Sequence, residues 1–255
     1  MGFFSRLTYR ASVIDSLLCI GLDPHPADLA APTPEAVRDF CIRMIDETAE
    51  VATAFKPNAA FFEAFGSAGI QVLSEVIQAV PDGIPVILDA KRGDIASTAD
   101  AYAKSAFEVL KADAITLNPY LGRDSLEPFI KRPELGVFLL CKTSNPGAAD
   151  LQDLPLSAGA GGLTVYEQVA LLAQQWNQSD NLGLVVGATQ LDALARVRRL
   201  VPELWILAPG VGAQGGDLES TIQVGLRTDG LGLLVPVSRA ISRADHPRLA
   251  AIELR

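Results

Sequence analysis

Eight short apolar runs, separated by longer stretches of helical period, limit what this chain can fold into more than any other feature of it. The runs are Leu18–Asp23, Ala52–Lys56, Pro85–Asp89, Ala114–Asn118, Gly136–Lys142, Gly183–Val186, Leu204–Ala208 and Leu231–Val235. Most are nearly continuous in Val, Ile, Leu or Ala, the composition of parallel strands covered on both faces. Helical periodicity fills Pro34 to Thr53, with Thr33 as N-cap and Pro34 at the first helical position. It returns at Ile95 to Ala112, Thr164 to Gln175 and Gln190 to Leu200. Eight strands alternating with helices predict an α/β fold of the (β/α)8 TIM-barrel type, and 255 residues is close to the ~250 typical of that barrel. A doubly wound open sheet is compatible with the same alternation. No repeat, low-complexity tail or linker divides the chain, so a single domain over residues 1–255 is expected.

Composition narrows the partners. A net charge of −9 argues against nucleic acid or a membrane surface, both of which attract a basic face. Hydrophobic residues at 49% and charged residues at 20% describe an ordinary globular chain. Cys19, Cys41 and Cys141 lie far apart without C-x-x-C spacing and read as buried, reduced thiols. No apolar run approaches the ~20 residues of a membrane span, and the first residues lack a signal-peptide core. A soluble, cytoplasmic protein is expected.

The strand ends are the informative positions, because chemistry in a parallel barrel gathers at its carboxyl-terminal face. Strand 1 ends in Gly21-Leu22-Asp23-Pro24 and strand 2 in Phe55-Lys56-Pro57-Asn58. Strand 3 ends in Asp89-Ala90-Lys91-Arg92-Gly93-Asp94, and strand 5 runs into Lys142-Thr143-Ser144-Asn145-Pro146-Gly147. Charged residues after a strand are often no more than a solvated turn. Alternation argues for more here: Asp89 and Lys91 are two apart and share one strand face, directed at the barrel mouth, while Arg92 faces away. With Asp23 and Lys56 from neighbouring strands they predict an array of carboxylates and ammoniums, fixed before any substrate arrives. An ammonium beside carboxylates is favoured in its acid form and can act as a general acid.

Strand 7 runs into Gly210–Gly216, which holds four glycines in seven residues around Gln214, and strand 8 runs into Val237-Ser238-Arg239. Glycines let backbone N–H groups approach an anion, an amide can join them, and an Arg can grip phosphate oxygens as a fork. A phosphate site is therefore expected from Gln214 and Arg239; a flexible surface loop is the plainer alternative. Thr143 to Gly162 is rich in Gly, Ala, Ser and Pro and shows no period. His25 and His246 have no second ligand at metal spacing, and Trp176 and Trp205 read as packing residues.

Taken together, Asp89-Ala90-Lys91-Arg92-Gly93-Asp94-Ile95 with Thr98 resembles the Asp-x-Lys-x-x-Asp signature of the orotidine 5′-monophosphate decarboxylase family, in the form of its longer bacterial branch. Phe55-Lys56-Pro57-Asn58, Lys142 to Gly147, Pro209 to Asp217 and Val237-Ser238-Arg239 are similar to further family segments, in the family's order. The resemblance implies a barrel that converts orotidine 5′-monophosphate to uridine 5′-monophosphate with no cofactor and no metal. It implies that Asp89 sits against the substrate carboxylate, that Lys91 delivers a proton to C6, and that Lys56 bridges Asp89 and the ribose. Asp23 would bind a ribose hydroxyl, Ser144 the pyrimidine, and Gln214 and Arg239 the phosphate. Asp94, with Thr98 nearby, would reach into the partner's site of a homodimer. Two alternatives stand beside it: a magnesium-dependent phospho-sugar decarboxylase or aldolase of the same barrel superfamily, and a phosphate-binding barrel without turnover.

Overall fold

The computed structural model describes residues 1–156, 162–212 and 215–255. Its centre is an eight-stranded parallel sheet: β1 (Leu18–Leu22), β2 (Ala54–Pro57), β3 (Ile87–Arg92), β4 (Ala114–Leu117), β5 (Gly136–Lys142), β6 (Leu182–Val186), β7 (Ile206–Leu207) and β8 (Leu233–Val237). The hydrogen-bonded order is β2-β1-β8-β7-β6-β5-β4-β3. Parallel bridges Phe55↔Val86 and Asn58↔Asp89 join the two ends of that series, so the sheet curls back on itself. A closed barrel, not a doubly wound open sheet, is the result, and the helices α2 (Pro34–Thr48), α3 (Ala59–Glu63), α4 (Gly66–Ala79), α5 (Ala96–Lys104), α6 (Glu127–Ile130), α7 (Val165–Trp176), α8 (Leu191–Leu200) and α9 (Leu218–Gly225) lie between successive strands.

Two cores follow from this layout. The larger lies between strands and helices, through residues such as Leu22, Met44, Phe55, Leu117, Leu139 and Ile206. The smaller fills the barrel, where Cys19, Ala54, Ile87, Ala114, Phe138, Val185, Leu207 and Leu234 form an apolar layer, one residue from each strand. Below that layer the amino-terminal helix α1 (Phe3–Ile14) closes the barrel floor with Phe3, Phe4 and Leu7. Phe4 stacks on Trp205 at 6.1 Å between ring centroids and meets Phe138 edge-on at 5.5 Å, and Gly136 leaves the room that Phe3 occupies.

The elements differ from the sequence-based expectation in ways with identifiable causes. The helix expected to run to Thr53 stops at Thr48, where the Arg10 guanidinium of α1 binds the carbonyls of Ala49 and Ala52 at 2.7 and 2.8 Å. Such a cap arrives from a distant segment and leaves no local period. The expected Ile95–Ala112 helix is α5 followed by a wider π turn over Ser105–Val109. The eighth strand starts two residues late, after Gly230 and Gly232 turn the chain at φ 79° and 76°. Helices α1, α4 and α9 have no counterpart among the segments of helical period expected from the sequence.

Phe4 is 2% exposed at the centre of the floor. Phe4→Ala is expected to destabilise the protein by about 3–5 kcal/mol in denaturant unfolding. A loss below about 1 kcal/mol would show that the helical plug adds little to the barrel.

Candidate active site

Two residues beyond the apolar layer, the same inward face becomes polar. Gly21, Lys56, Asp89 and Thr116 follow Cys19, Ala54, Ile87 and Ala114 on β1 to β4, and one step further come Asp23, Asn58 and Lys91. All of these line one cavity of about 530 Å³ at the carboxyl-terminal end of the barrel, together with Ser144, Gly210, Ser238 and Arg239. Six of the nine residues singled out from sequence therefore converge: Asp23, Lys56, Asp89, Lys91, Ser144 and Arg239.

At its centre the Asp89 carboxylate lies between two ammoniums. Lys56 Nζ is 2.9 Å from Oδ2 and Lys91 Nζ is 2.6 Å from Oδ1. The Lys56 and Asp89 side chains are 7% and 12% exposed, whereas that of Lys91 is 49% exposed and faces the cavity. Burial works against the charge of Asp89, but Lys56 and Lys91 outweigh it and hold the carboxyl well below its usual range. Burial likewise opposes the charge on Lys56, yet Asp89 and Asp23 prevail and raise its pKa above the ordinary lysine value.

Thr116, which is not among the residues the sequence singles out, completes the arrangement. Its hydroxyl donates to Asp89 Oδ1 at 3.0 Å and accepts from the backbone N–H groups of Ala90 and Lys91 at 3.0 and 2.9 Å. This replaces the regular ladder, for the β3–β4 register shifts between Leu88 and Arg92 and Lys91 sits at φ +50°. A non-glycine residue there carries about 1–3 kcal/mol of backbone strain. Simple alternation gave the right neighbours for Asp89 and Lys91, but a local bulge pinned by Thr116 sets their geometry. The signal was a lone hydroxyl residue in the apolar run Ala114–Leu117.

Arg92 points out of the cavity to Glu63 and lies over the Tyr102 ring at 5.2 Å, as its opposite face predicts. Asp94 and Thr98 do not line the cavity of their own chain; Asp94 Oδ1 accepts from Ile95 N at 2.8 Å at the entry to α5. The described glycines after β7 bond to one another: Gly216 N donates to Gly210 O at 3.0 Å and Gly212 N to Gly216 O at 2.9 Å. Gly212 needs its glycine for a φ of +73°, and a Cβ on Gly216 would fall 2.7 Å from Gly210 O. Gln214 lies outside the described residues. Asp23 Oδ1 and Ser238 Oγ are buried at the cavity without a hydrogen-bond partner among the described residues. Among the described residues no group of three His, Cys, Asp or Glu could hold a metal ion. The three cysteines are free and buried, and burial pushes the Cys19 thiol up to about 12.

A carboxyl whose pKa is depressed by folding stabilises the folded state above its unfolded value, about 3.9, and that contribution is lost as the pH falls below it. Asp89 is expected to remain ionised at about pH 3.5, where an exposed aspartate is mostly protonated. Titration of its carboxyl carbon by NMR checks this, and a midpoint at or above about pH 4 would contradict the double ion pair.

Comparison with known proteins agrees with this geometry. The model of the Orotidine 5′-phosphate decarboxylase / HUMPS family matches residues 16–254. A protein named orotidine 5′-phosphate decarboxylase from Roseiflexus castenholzii is 50% identical, the alignment covering 100% of this chain and 96% of that one. Another of that name from Azoarcus sp. is 50% identical over 94% of this chain and 90% of its own length. The solved structure of Leishmania donovani OMP decarboxylase superposes with a TM-score of 0.91 at 55% identity, covering 100% of this chain and 96% of that one. With a matching barrel and this similarity over its whole length, the chain belongs to the orotidine 5′-phosphate decarboxylase / HUMPS family.

Proposed function

We propose that this chain, as one barrel domain over residues 1–255 of a cytoplasmic enzyme, decarboxylates orotidine 5′-monophosphate to uridine 5′-monophosphate. The observation that carries the reading is the Asp89 carboxylate, clamped by Lys56 and Lys91 at the cavity floor. The family description covers more than one activity, so the choice of substrate rests on the full-length relatives named orotidine 5′-phosphate decarboxylase.

In this reading the bond from C6 to the substrate carboxylate breaks, its electron pair stays on C6, and carbon dioxide leaves. No ring system delocalises that pair, so fixed charge must lower the barrier. The Lys91 ammonium attracts the developing charge and then transfers a proton to C6; the amine left behind is reprotonated from solvent. Asp89 faces the departing carboxylate and, with Lys56, keeps Lys91 in line. Lys56 also reaches the ribose, Asp23 takes a ribose hydroxyl, and Ser144 meets the pyrimidine. Arg239 and Gln214 grip the phosphate, whose binding energy helps close the site and exclude water. That Asp23, Ser144 and Arg239 line the same cavity as the Asp89 cluster supports this reading.

Asp94 and Thr98 are assigned to the partner's site in a homodimer. Two features support this: both residues lie outside their own chain's cavity, and apolar side chains flank them on the surface. Ile95 is 56% exposed and Tyr120 75%, and the Asn118 backbone packs close to Gly93.

Release of carbon dioxide from orotidine 5′-monophosphate by the purified chain in EDTA tests the assignment. Undiminished turnover is expected, and dependence on added magnesium would move the chain to the phospho-sugar alternative. Lys91→Ala should lower kcat by about 1,000-fold or more while nucleotide binding stays measurable; near-normal kcat would remove Lys91 from proton transfer. For the dimer, mixing Asp94→Asn with Lys91→Ala subunits should regenerate native sites and restore part of the activity. No recovery despite verified subunit exchange would contradict action in trans.

A further inference from the structure

The segment between β5 and α7 borders the cavity, yet the reaction described above gives most of it no part. Among its described residues, three side-chain hydrogen bonds converge on Thr143. The Gln152 side chain holds Thr143 at two points: Thr143 N donates to Gln152 Oε1 at 2.9 Å, and Gln152 Nε2 donates to Thr143 Oγ1 at 2.8 Å. The Thr143 hydroxyl in turn donates to Asn145 Oδ1 at 2.6 Å. Direction is thus fixed along the chain Gln152, Thr143, Asn145, and Ser144 is the residue spanned by it.

The clamp is itself anchored. Gln152 N donates to Ala148 O at 2.8 Å, and Gln152 O accepts from Tyr166 N, in α7, at 3.0 Å. On one side of it Lys142, with a side chain only 4% exposed, pairs with Asp153 at 2.6 Å and lies over the Tyr166 ring at 5.7 Å. A buried ammonium is costly unless paired, so this ion pair resists any peeling of the segment from the strand. On the other side Ser144 rests on Gly187: a Cβ there would fall 3.1 Å from Ser144 Cβ and 3.2 Å from its N. Gly187 N in turn donates to Lys142 O at 2.8 Å.

We propose that Gln152 is a positioning residue that fixes Ser144 at the cavity edge through its two-point grip on Thr143, with the Lys142–Asp153 ion pair as its anchor. Gln152 borders the cavity, which would also suit a direct ligand contact. Its amide oxygen and an amide hydrogen are already engaged by Thr143, so its effect passes through the neighbouring backbone. The inference rests on the assignment of Ser144 to the pyrimidine. It gives a role to a stretch whose Gly, Ala, Ser and Pro content otherwise reads as a plain loop.

A double-mutant cycle on the full chain tests it, with Gln152→Met chosen to keep side-chain volume and remove both hydrogen bonds. Turnover by the unaltered chain is measured first, so failure of the decarboxylase assignment registers there, independently of the variants. Gln152→Met should lower kcat/KM by about 10- to 100-fold, as misplaced contacts do. Ser144→Ala should lower it comparably, and the double variant should be no worse than Ser144→Ala alone. Losses that multiply, or an unchanged kcat/KM in Gln152→Met, would overturn the proposal. Should Gln152→Met fail to fold, Asp153→Asn, which weakens the anchor, takes its place in the same cycle with the same two outcomes.

Discussion

The geometry of the cavity turns on one carboxylate, the shared partner of two lysines and a threonine. Asp89 is 12% exposed and holds two ammoniums within 2.9 Å, an arrangement that bulk water would make worth little. At the mouth of a parallel barrel, with an apolar layer one step below, the same contacts are strong, and losing one partner would strand a charge. Almost every unusual feature nearby serves this cluster. The Thr116 hydroxyl donates to Asp89 and accepts from two backbone N–H groups, and the β3 strand accepts a left-handed residue at Lys91. That strain presents the Lys91 head to the cavity while its neighbour Arg92 turns outward to Glu63.

Much of this was legible in the sequence because barrels repeat a simple rule. Parallel strands buried on both faces read as apolar runs, and the first ionisable residues after them fall at the mouth. Asp23, Lys56, Asp89 and Lys91 were found that way, as was the direction of Arg92. Long-range side-chain contacts were not legible. Arg10 ends α2 from a different helix, Thr116 replaces a ladder hydrogen bond, and Gln152 reaches back to Thr143. None of these leaves a period or a motif, and each requires the fold before it can be seen. The grouping of Ser144 with the pyrimidine came from family resemblance alone, since a serine in a polar stretch carries no pattern of its own.

The barrel divides its tasks along the strand direction, and the polar groups record the division. On the side of α1, buried polar groups are fully engaged. Asn181 Nδ2 donates to the carbonyls of Ile130, Arg132 and Leu135, and the buried Arg198 guanidinium binds those of Gly225, Pro202, Leu204 and Gly232. Those contacts tie loops to the floor and satisfy carbonyls that would otherwise be desolvated without a donor. At the other end the pattern reverses. The buried side-chain atoms without a partner among the described residues are Asp23 Oδ1, Thr189 Oγ1, Ser238 Oγ and Ser242 Oγ, and all four follow the carboxyl ends of β1, β6 or β8.

An unpaired buried oxygen costs about 1–3 kcal/mol, so a cluster of them at one end of an otherwise satisfied fold needs an explanation. Asp23 and Ser238 supply one, since both line the cavity and both crowd the single position where Gly21 lacks a side chain. A Cβ on Gly21 would fall 2.8 Å from Ser238 Cβ and 3.1 Å from Asp23 Oδ2, so the glycine is what lets the two polar groups stand side by side. The unpaired oxygens thus stand at the cavity, and the offsetting contacts lie at the floor, in Phe3, Phe4 and Trp205. Strands β1 and β8 therefore carry both terms, separated by two steps of the β repeat: an apolar residue of the layer, Cys19 or Leu234, that stabilises the barrel, and four positions later a polar residue, Asp23 or Ser238, that faces the cavity.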